Sequence, residues 1–538
     1  MKPTSLVVSV GLVAAAAGQA SAGGLTLPGA GAVSTSRAGA SLAAADDGEA
    51  LVINPAGLAK AHEGIEITVS AAIISYAMKF TRSGTYDAIT DSGAMAEDHA
   101  YEGQKYPTIT NAPKPPLGLG SYQPVPVVAI TSDLGGAIKG LRAAIGLYAP
   151  NAYPFRDMTH VGGHSFQFNQ NFDQPPPPTR YDIMNQEAAI LVPSIAAGYR
   201  ITDKLDVGAR FGMAFATLKS TVAVWGLPFN YQEWVKEDGQ VKIDAKDSWI
   251  PTWSLGATFR PAPAIELAAN YTSSIDVNAK GTATAETGPN VTIGGQPSGI
   301  FPVTGANAKC ADGGTMTAFK ACASLAIPQN AQIGARYKFL DHAGTFRGDV
   351  ELDLDWENWG KNENNYNVVI DAQASTLQSP DTGLQLKPSV IYHGFRDTYA
   401  ARLGGSYIVP AGGADLTLRG GIGYDTAAAK DGWERVDVDG AARTTIAVGA
   451  GYKMRRVEIN AGFGVILEGS RTNARTCNPT ISAQGCAGTN TDQPQADRTG
   501  PDPTTPLSSP FQQTESPVNQ GTMVSHYVMF MLGVKTWF

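Results

Sequence analysis

Between Leu205 and Phe215 every second side chain is apolar: Leu205, Val207, Ala209, Phe211, Met213 and Phe215 alternate with Asp206, Gly208, Arg210, Gly212 and Ala214. A period of two sends successive side chains to opposite faces, so this is a strand with one greasy face. The stretch Phe346 to Glu357 is sharper, with Phe346, Val350, Leu352, Leu354 and Trp356 set against Arg347, Asp349, Glu351, Asp353, Asp355 and Glu357. At the C-terminal end Val528, Phe530, Leu532, Val534 and Phe538 share a face. The same pattern predicts about fourteen strands, near 65–80, 124–133, 141–150, 188–201, 205–219, 249–260, 264–281, 327–340, 346–358, 398–410, 414–424, 443–453, 456–468 and 525–538. Most reach the ~9 to 11 residues that a tilted strand needs to cross a bilayer.

The connections between these strands alternate in length. Thr202-Asp203-Lys204, Pro261-Ala262-Pro263, Asp341 to Thr345, Ala411-Gly412-Gly413 and Lys453 to Arg455 are tight turns, and Asp133 to Gly140 is slightly longer. Between them lie long polar segments at 81–123, 151–187, 221–248, 282–326, 359–397, 425–442 and 469–524. Short turns on one side and long loops on the other predict an all-β, transmembrane antiparallel β-barrel, and an even strand count puts both termini on the short-turn, periplasmic side. The competing architecture is a secreted sandwich or propeller. The length of the strands, the charges on one face and the aromatic last residue favour the barrel.

Composition narrows the function. The 538 residues are 43% hydrophobic and 16% charged, with a net charge of -8 and no basic block, which argues against a nucleic-acid partner. Met1-Lys2, the apolar run Leu6 to Ala17 and Ala20-Ser21-Ala22 read as a secretory signal peptide over 1–22. The four cysteines fall in two local pairs, Cys310 with Cys322 and Cys477 with Cys486, and in an exported chain these read as loop disulfides. Neither pair has zinc-ligand spacing, and no metal or cofactor is expected. His160 and His164 are four apart, but the glycine pair between them and the missing Glu make a poor metalloprotease helix. No motif for an enzyme stands out, although a hydrolase assembled across strands would leave none.

Several stretches resemble a known family of outer-membrane transporters for long-chain fatty acids and hydrophobic compounds, typified by FadL and TodX. They are Ser36-Arg37-Ala38-Gly39-Ala40, Ala45-Asp46-Asp47 and Asn54-Pro55-Ala56-Gly57-Leu58, then Ile327 to Tyr337, Val350 to Trp359, Arg396 to Tyr407, Leu416 to Tyr424 and the terminal strand. The resemblance implies a barrel of 14 strands over 61–538, closed by an N-terminal hatch over 23–60. It also implies capture of a hydrophobic ligand at the extracellular loops, a lumenal pocket beside the hatch, and release through a sideways gap at a kinked strand. The long loops, the cysteine pairs and the run Pro175 to Pro178 depart from the pattern, so ligand identity does not carry over.

The candidate residues follow. An apolar solute needs a concave, largely apolar site with a few orienting polar groups. For loop capture the chain offers Tyr153, Phe155, Phe166, Phe168 and Phe172 in one long segment and Trp225, Leu227, Phe229, Tyr231 and Trp234 in another; the same residues suit loop packing or an aromatic girdle. Arg156, Arg180 and Lys236 flank these clusters and suit a carboxylate headgroup or plain surface solvation. Gly146 and Pro150 mark a kink in the third strand, or simply its end. In the hatch, Asp46, Asp47 and Glu49 are expected to meet barrel cations, or Asp46 and Asp47 to cap a short helix, and Asn54, Pro55 and Ala56 to turn the chain into the first strand. The acidic column of the ninth strand is expected to pair with Arg210, Arg402 and Arg419 or with the hatch, since confined charges are usually partnered.

The functional expectation is a monomeric passive channel in the outer membrane of a Gram-negative bacterium. Its partners would be a hydrophobic small molecule or fatty acid, outer-membrane lipid and, during biogenesis, the barrel assembly machinery. A general or cation-preferring porin and a surface adhesin barrel remain as alternatives.

Overall fold

The structure is a computed structural model, and it describes residues 25–86, 99–167, 175–224, 238–286, 292–293, 296–297, 319–361, 366–371, 389–391, 393–430, 434–438, 440–473 and 521–538. The expected signal peptide lies outside them, as do Phe168, Phe172, Trp225, Leu227, Phe229, Trp234, Lys236, Cys310, Cys477 and Cys486.

Fourteen antiparallel strands close into one barrel. They are β1 (Ile65–Arg82), β2 (Gln123–Ser132), β3 (Leu141–Tyr148), β4 (Asn185–Thr202), β5 (Leu205–Val224), β6 (Gly239–Ala262), β7 (Ile265–Thr272, continued as Ile275–Glu286), β8 (Phe319–Ile327, continued as Asn330–Leu340), β9 (Phe346–Glu357), β10 (Thr398–Ala411), β11 (Ala414–Asp425), β12 (Arg443–Met454), β13 (Val457–Asn473) and β14 (Gly521–Trp537). Each pairs with its sequence neighbours, and β1 pairs with β14 from Glu66–Trp537 to Arg82–Gly521, so the barrel has no free edge. The expected strands are all present, but several run further toward the long loops: β6 begins at Gly239 rather than 249, and β8 at Phe319 rather than 327. The β6 extension still has period two, with Val241 and Ala245 buried and Lys242, Asp244 and Lys246 exposed, but its outer face is polar where that of the rest of the strand is apolar, so it reads as polar loop.

The barrel is apolar outside. Along β9, Val350, Leu352 and Leu354 are exposed while Asp349, Glu351, Asp353 and Asp355 are buried. A middle belt of aliphatic side chains that includes Ile195, Leu255, Leu267, Ile333, Leu403 and Ile446 is likewise exposed. Tyr199, Phe259, Tyr337, Tyr407 and Tyr452 form an exposed aromatic row toward the short turns, with Trp249, Trp253, Tyr399 and Tyr424 toward the long loops. Greasy middle and aromatic rims are what lipid on the outside requires. No described helix is long and apolar enough to cross a membrane.

The N-terminal segment from Leu25 to Gly64 fills the lumen. It holds three short helical turns, Thr35–Arg37, Ala50–Ile53 and Pro55–Lys60. Such turns need contacts from outside themselves, because pieces this short are not stable alone. The wall supplies them, partly by having no side chains in the way. A Cβ on Gly208 would run into Pro55, on Gly256 into Asn54, on Gly421 into Arg37 and on Gly449 into Ser36. Glycine at these lumen-facing positions lets the plug backbone lie directly on the strands.

Candidate functional site

The plug is tied to the wall by the acidic column of β9. Arg37 donates through Nη1 and Nη2 to both oxygens of Asp349 at 2.9 Å, and Nη2 also reaches Glu351 at 3.1 Å. Asp353 accepts from the amides of Ser41 and Leu42 at 2.8 and 3.0 Å, and Glu351 from those of Ala43 and Ala44. The column is thus shared between plug and wall: Asp355 pairs with Arg402, which also reaches Asp425 at 2.6 Å. Of the arginines expected to meet the column, only Arg402 does. Arg419 pairs with Glu458 at 3.0 Å, and Arg210 lies over the ring of Tyr148 with Nη1 3.4 Å from the Leu51 carbonyl. Partners across the barrel were invisible to sequence because the register that aligns strands is a tertiary property.

The hatch acids divide. Asp47 meets a barrel cation, with Lys535 Nζ at 3.3 Å, and its Oδ1 also accepts from the Glu49 amide at 2.9 Å. Asp46 is exposed and has no ion pair among the described residues. Glu49 meets no cation here; it accepts from the amides of Ala32, Val33 and Ser34 at 2.8, 3.0 and 2.9 Å and from Ser70 Oγ at 2.9 Å, holding the plug in its fold. Neither aspartate caps the Ala50–Ile53 helix, whose N-cap is Glu49 without a side-chain cap bond. Asn54 caps the turn that follows it: Oδ1 accepts from the Ala56 amide at 3.1 Å, Nδ2 donates to the Leu42 carbonyl at 2.9 Å, and Pro55 and Ala56 are buried beside it.

At β3 the wall opens. The last β3 pairs are Tyr148 with Val127 on one side and with Val192 on the other. The chain then leaves the wall and runs inward to the start of the plug, where Asn151 O accepts from the Leu27 amide at 2.6 Å, Asn151 Nδ2 donates to Pro28 O at 2.9 Å and Ala152 bridges to Thr26. It returns at Arg156 and Asp157, which pair with Gln186 and Asn185 of β4. In between, Gln123–Val125 of β2 and 187–191 of β4 have no ladder partner on the facing side. Gly146 is not the break, for it is paired on both sides with Ala129 and Ser194. Pro150 sits in the inward excursion, where a residue without an N–H loses nothing.

A cavity of about 260 Å³ occupies this opening. Its walls include Val125, Pro150, Ile190, Val222, Ile243 and Leu325, and it touches both Leu25 in the plug and the outward-facing Leu191. Phe155 lines it and is 5% exposed. The loop-capture expectation placed Phe155 and Arg156 in open loops, but both are interior. The guanidinium of Arg156 donates to the carbonyls of Val436, Tyr153 and Phe155 and lies 4.3 Å from the Tyr76 ring. Arg180 is buried too, 2.8 Å from Asp238. Phe166 is half-buried against the same apolar core. Sequence reasoning missed Asp182, Arg435 and Asp437, which form the polar end of the cavity. They lie in two loops far apart in sequence, and no local spacing links them. Cys322 stands half-buried on β8. His160 faces Ser165 across a two-residue hairpin at 3.0 Å, and no cluster of metal ligands occurs among the described residues.

The sequence model of a family described as outer membrane protein transport protein (OMPP1/FadL/TodX) matches residues 181–492. No curated protein matches the chain. Among solved structures, a FadL homologue of Pseudomonas aeruginosa superposes with a TM-score of 0.67 at 14% identity, over 96% of this chain and 100% of that one. The toluene transporter TbuX of Ralstonia pickettii gives 0.57 at 15% identity, over 95% of this chain and 99% of that one, and TodX of P. putida gives 0.57 at 14% over the same shares. At such identities the likeness is one of fold.

Proposed function

Since this chain belongs to the outer membrane transport protein family that includes FadL and TodX, we propose that it is a passive channel for hydrophobic molecules whose route leaves through the wall rather than down the lumen. The single observation that carries the reading is the apolar cavity of about 260 Å³, which reaches from the plug to an unpaired stretch of the wall. Lipopolysaccharide and water-filled pores are both poor paths for an apolar solute. Here the solute is taken from the loops into the cavity and passes between β2 and β4 into the outer leaflet. The segment 149–155 that makes the opening is bonded to Thr26, Leu27 and Pro28, so movement of the plug's first residues and widening of the gap are one event. The driving force is the ligand's own gradient and its preference for lipid.

An open, cation-preferring porin is the weaker reading. Its selectivity would rest on the acidic column of β9, and those carboxylates are spent on Arg37, Arg402 and plug amides. Two measurements on the purified protein test the proposal. Planar bilayers are expected to show little steady conductance, and cells expressing the protein are expected to take up a hydrocarbon or fatty acid faster than cells lacking it. A large steady current together with unchanged uptake would leave a porin in place of this channel.

A further inference from the structure

The segment that leads into β2 ends in a tight turn beside the opening. Leu119 and Tyr122 exchange backbone hydrogen bonds of 2.9 and 3.2 Å across Gly120 and Ser121, and Gly120 takes a φ of 63°. Leu117 and Leu119 project from this turn with 79% and 85% of their surface uncovered, the most exposed large apolar side chains among the described residues. Gln123 follows directly, in the stretch of β2 that has no partner on the β3 side, and Leu117 lines the cavity. The turn is therefore an edge of the opening.

Depth decides what covers the two leucines. Ser121 Oγ lies 2.7 Å from Ser75 Oγ, and Ser75 pairs with Val528 of β14. The Tyr122 ring lies 5.8 Å from that of Phe530, on the lipid face of the same strand. Val528 stands ten residues from the exposed Phe538 at the short-turn rim. At ~3.3 Å per residue and a tilt of ~40° it is roughly 25 Å up, at the top of an apolar band about 25 Å tall. The turn thus lies where acyl chains meet headgroups, and its leucines continue the lipid face. Its backbone suits that place, because hydrocarbon admits peptide groups only when their hydrogen bonds are met within the protein. Pro115 and Pro116 bring no N–H, the Gly118 amide donates to the Pro115 carbonyl at 2.9 Å, and those of Leu119 and Tyr122 are bonded across the turn. The Ser121 carbonyl accepts from the hydroxyl of Tyr153, the residue after the Ala152 bridge to Thr26. Turn and plug are both tied to the same inward excursion.

Resting on the transport reading above, we propose that the turn 115–122 is a lip of the opening that inserts Leu117 and Leu119 among the acyl chains of the outer leaflet and hands a departing hydrophobe to them. The first test is where Leu119 lies. Leu119→Cys carrying an NBD label, in the full-length protein in lipid nanodiscs, is expected to lose fluorescence to phospholipids with a nitroxide on the upper acyl chain and to be spared by aqueous iodide. Quenching by iodide with none by the nitroxide lipids puts the turn in water and overturns the lip, whether or not the protein transports. The second test is transfer. Leu117→Ser combined with Leu119→Ser is expected to slow protein-dependent entry of the dye N-phenylnaphthylamine into cells about tenfold, and valine at both positions to restore it. An unchanged rate in the serine variant overturns the handover. If the unaltered protein admits no more dye than cells lacking it, the transport reading falls, and the quenching still decides the lip.

Discussion

At the scale of single residues, Arg37 is the fastening between plug and barrel. It is 2% exposed and forks onto Asp349 while touching Glu351, and neither carboxylate has another route to water. Without Arg37, Asp349 keeps Arg336 Nε at 2.7 Å and Ser406, and Glu351 keeps the amides of Ala43 and Ala44, so the wall side stays satisfied and the loss falls on the plug. Arg37→Met is therefore expected to loosen the plug while the barrel stays folded, read as a rise in single-channel conductance and as faster proteolysis of the N-terminal segment in detergent. In the loop cluster, burial opposes ionisation of Asp437, but Arg435 and His393 outweigh it and hold the carboxyl well below the usual carboxylate range. A depressed folded value contributes stability that is fully present above the unfolded value of about 4 and is lost only as pH falls through the lower folded one. Amide-exchange protection of residues 434–438 is thus expected to hold from neutral pH down to about 4. Loss of protection between pH 7 and 5 would mean that Asp437 is not engaged as the structure has it.

At the scale of elements, β9 carries two instructions in one strand. Its odd positions from Asp349 to Asp353 bind the plug and Asp355 binds Arg402 of the neighbouring strand, while its even positions from Val350 to Leu354 face lipid. Leu352→Arg places a charge at the centre of the lipid face and is expected to cost about 2 to 4 kcal/mol of barrel stability, measured by urea unfolding in liposomes. The wall glycines make the complementary point. Gly256→Val drives a side chain into Asn54 and is expected to displace the plug with little change in barrel stability, raising conductance as Arg37→Met does. The inward excursion after β3 offers a third test. Cysteines replacing Leu27 and Asn151, whose backbones are bonded at 2.6 Å, are expected to lock the excursion to the plug when oxidised and to slow hydrophobe uptake until reductant is added. Uptake unaffected by the lock would show that this contact is no part of the gate.

At the scale of the whole molecule, the protein is a barrel turned inside out relative to a soluble one, with carboxylates and arginines inside and aliphatic side chains outside. That much was legible along the chain, because a strand between lipid and lumen writes its environment into every second residue. Leu205 to Phe215 and Phe346 to Glu357 announce it without reference to anything distant. The family-like Asn54-Pro55-Ala56 also marks its own turn, since an Asn cap followed by Pro is a local device. The partners of charged groups were not legible: Arg37 with Asp349 and Arg435 with Asp182 join residues hundreds of positions apart, and sequence gives no distance between them. The end of the β3 ladder was not legible either: Gly146 is paired on both sides, the ladder stops after Tyr148, and the chain beyond it bonds to Thr26, Leu27 and Pro28, more than a hundred positions away. Sequence by itself therefore determined the barrel and its lipid face, both of which depend on each residue's own surroundings. Tertiary structure alone decided where the plug seats, where the wall parts and which charges close the cavity, since these depend on which distant segments closure of the barrel brings together.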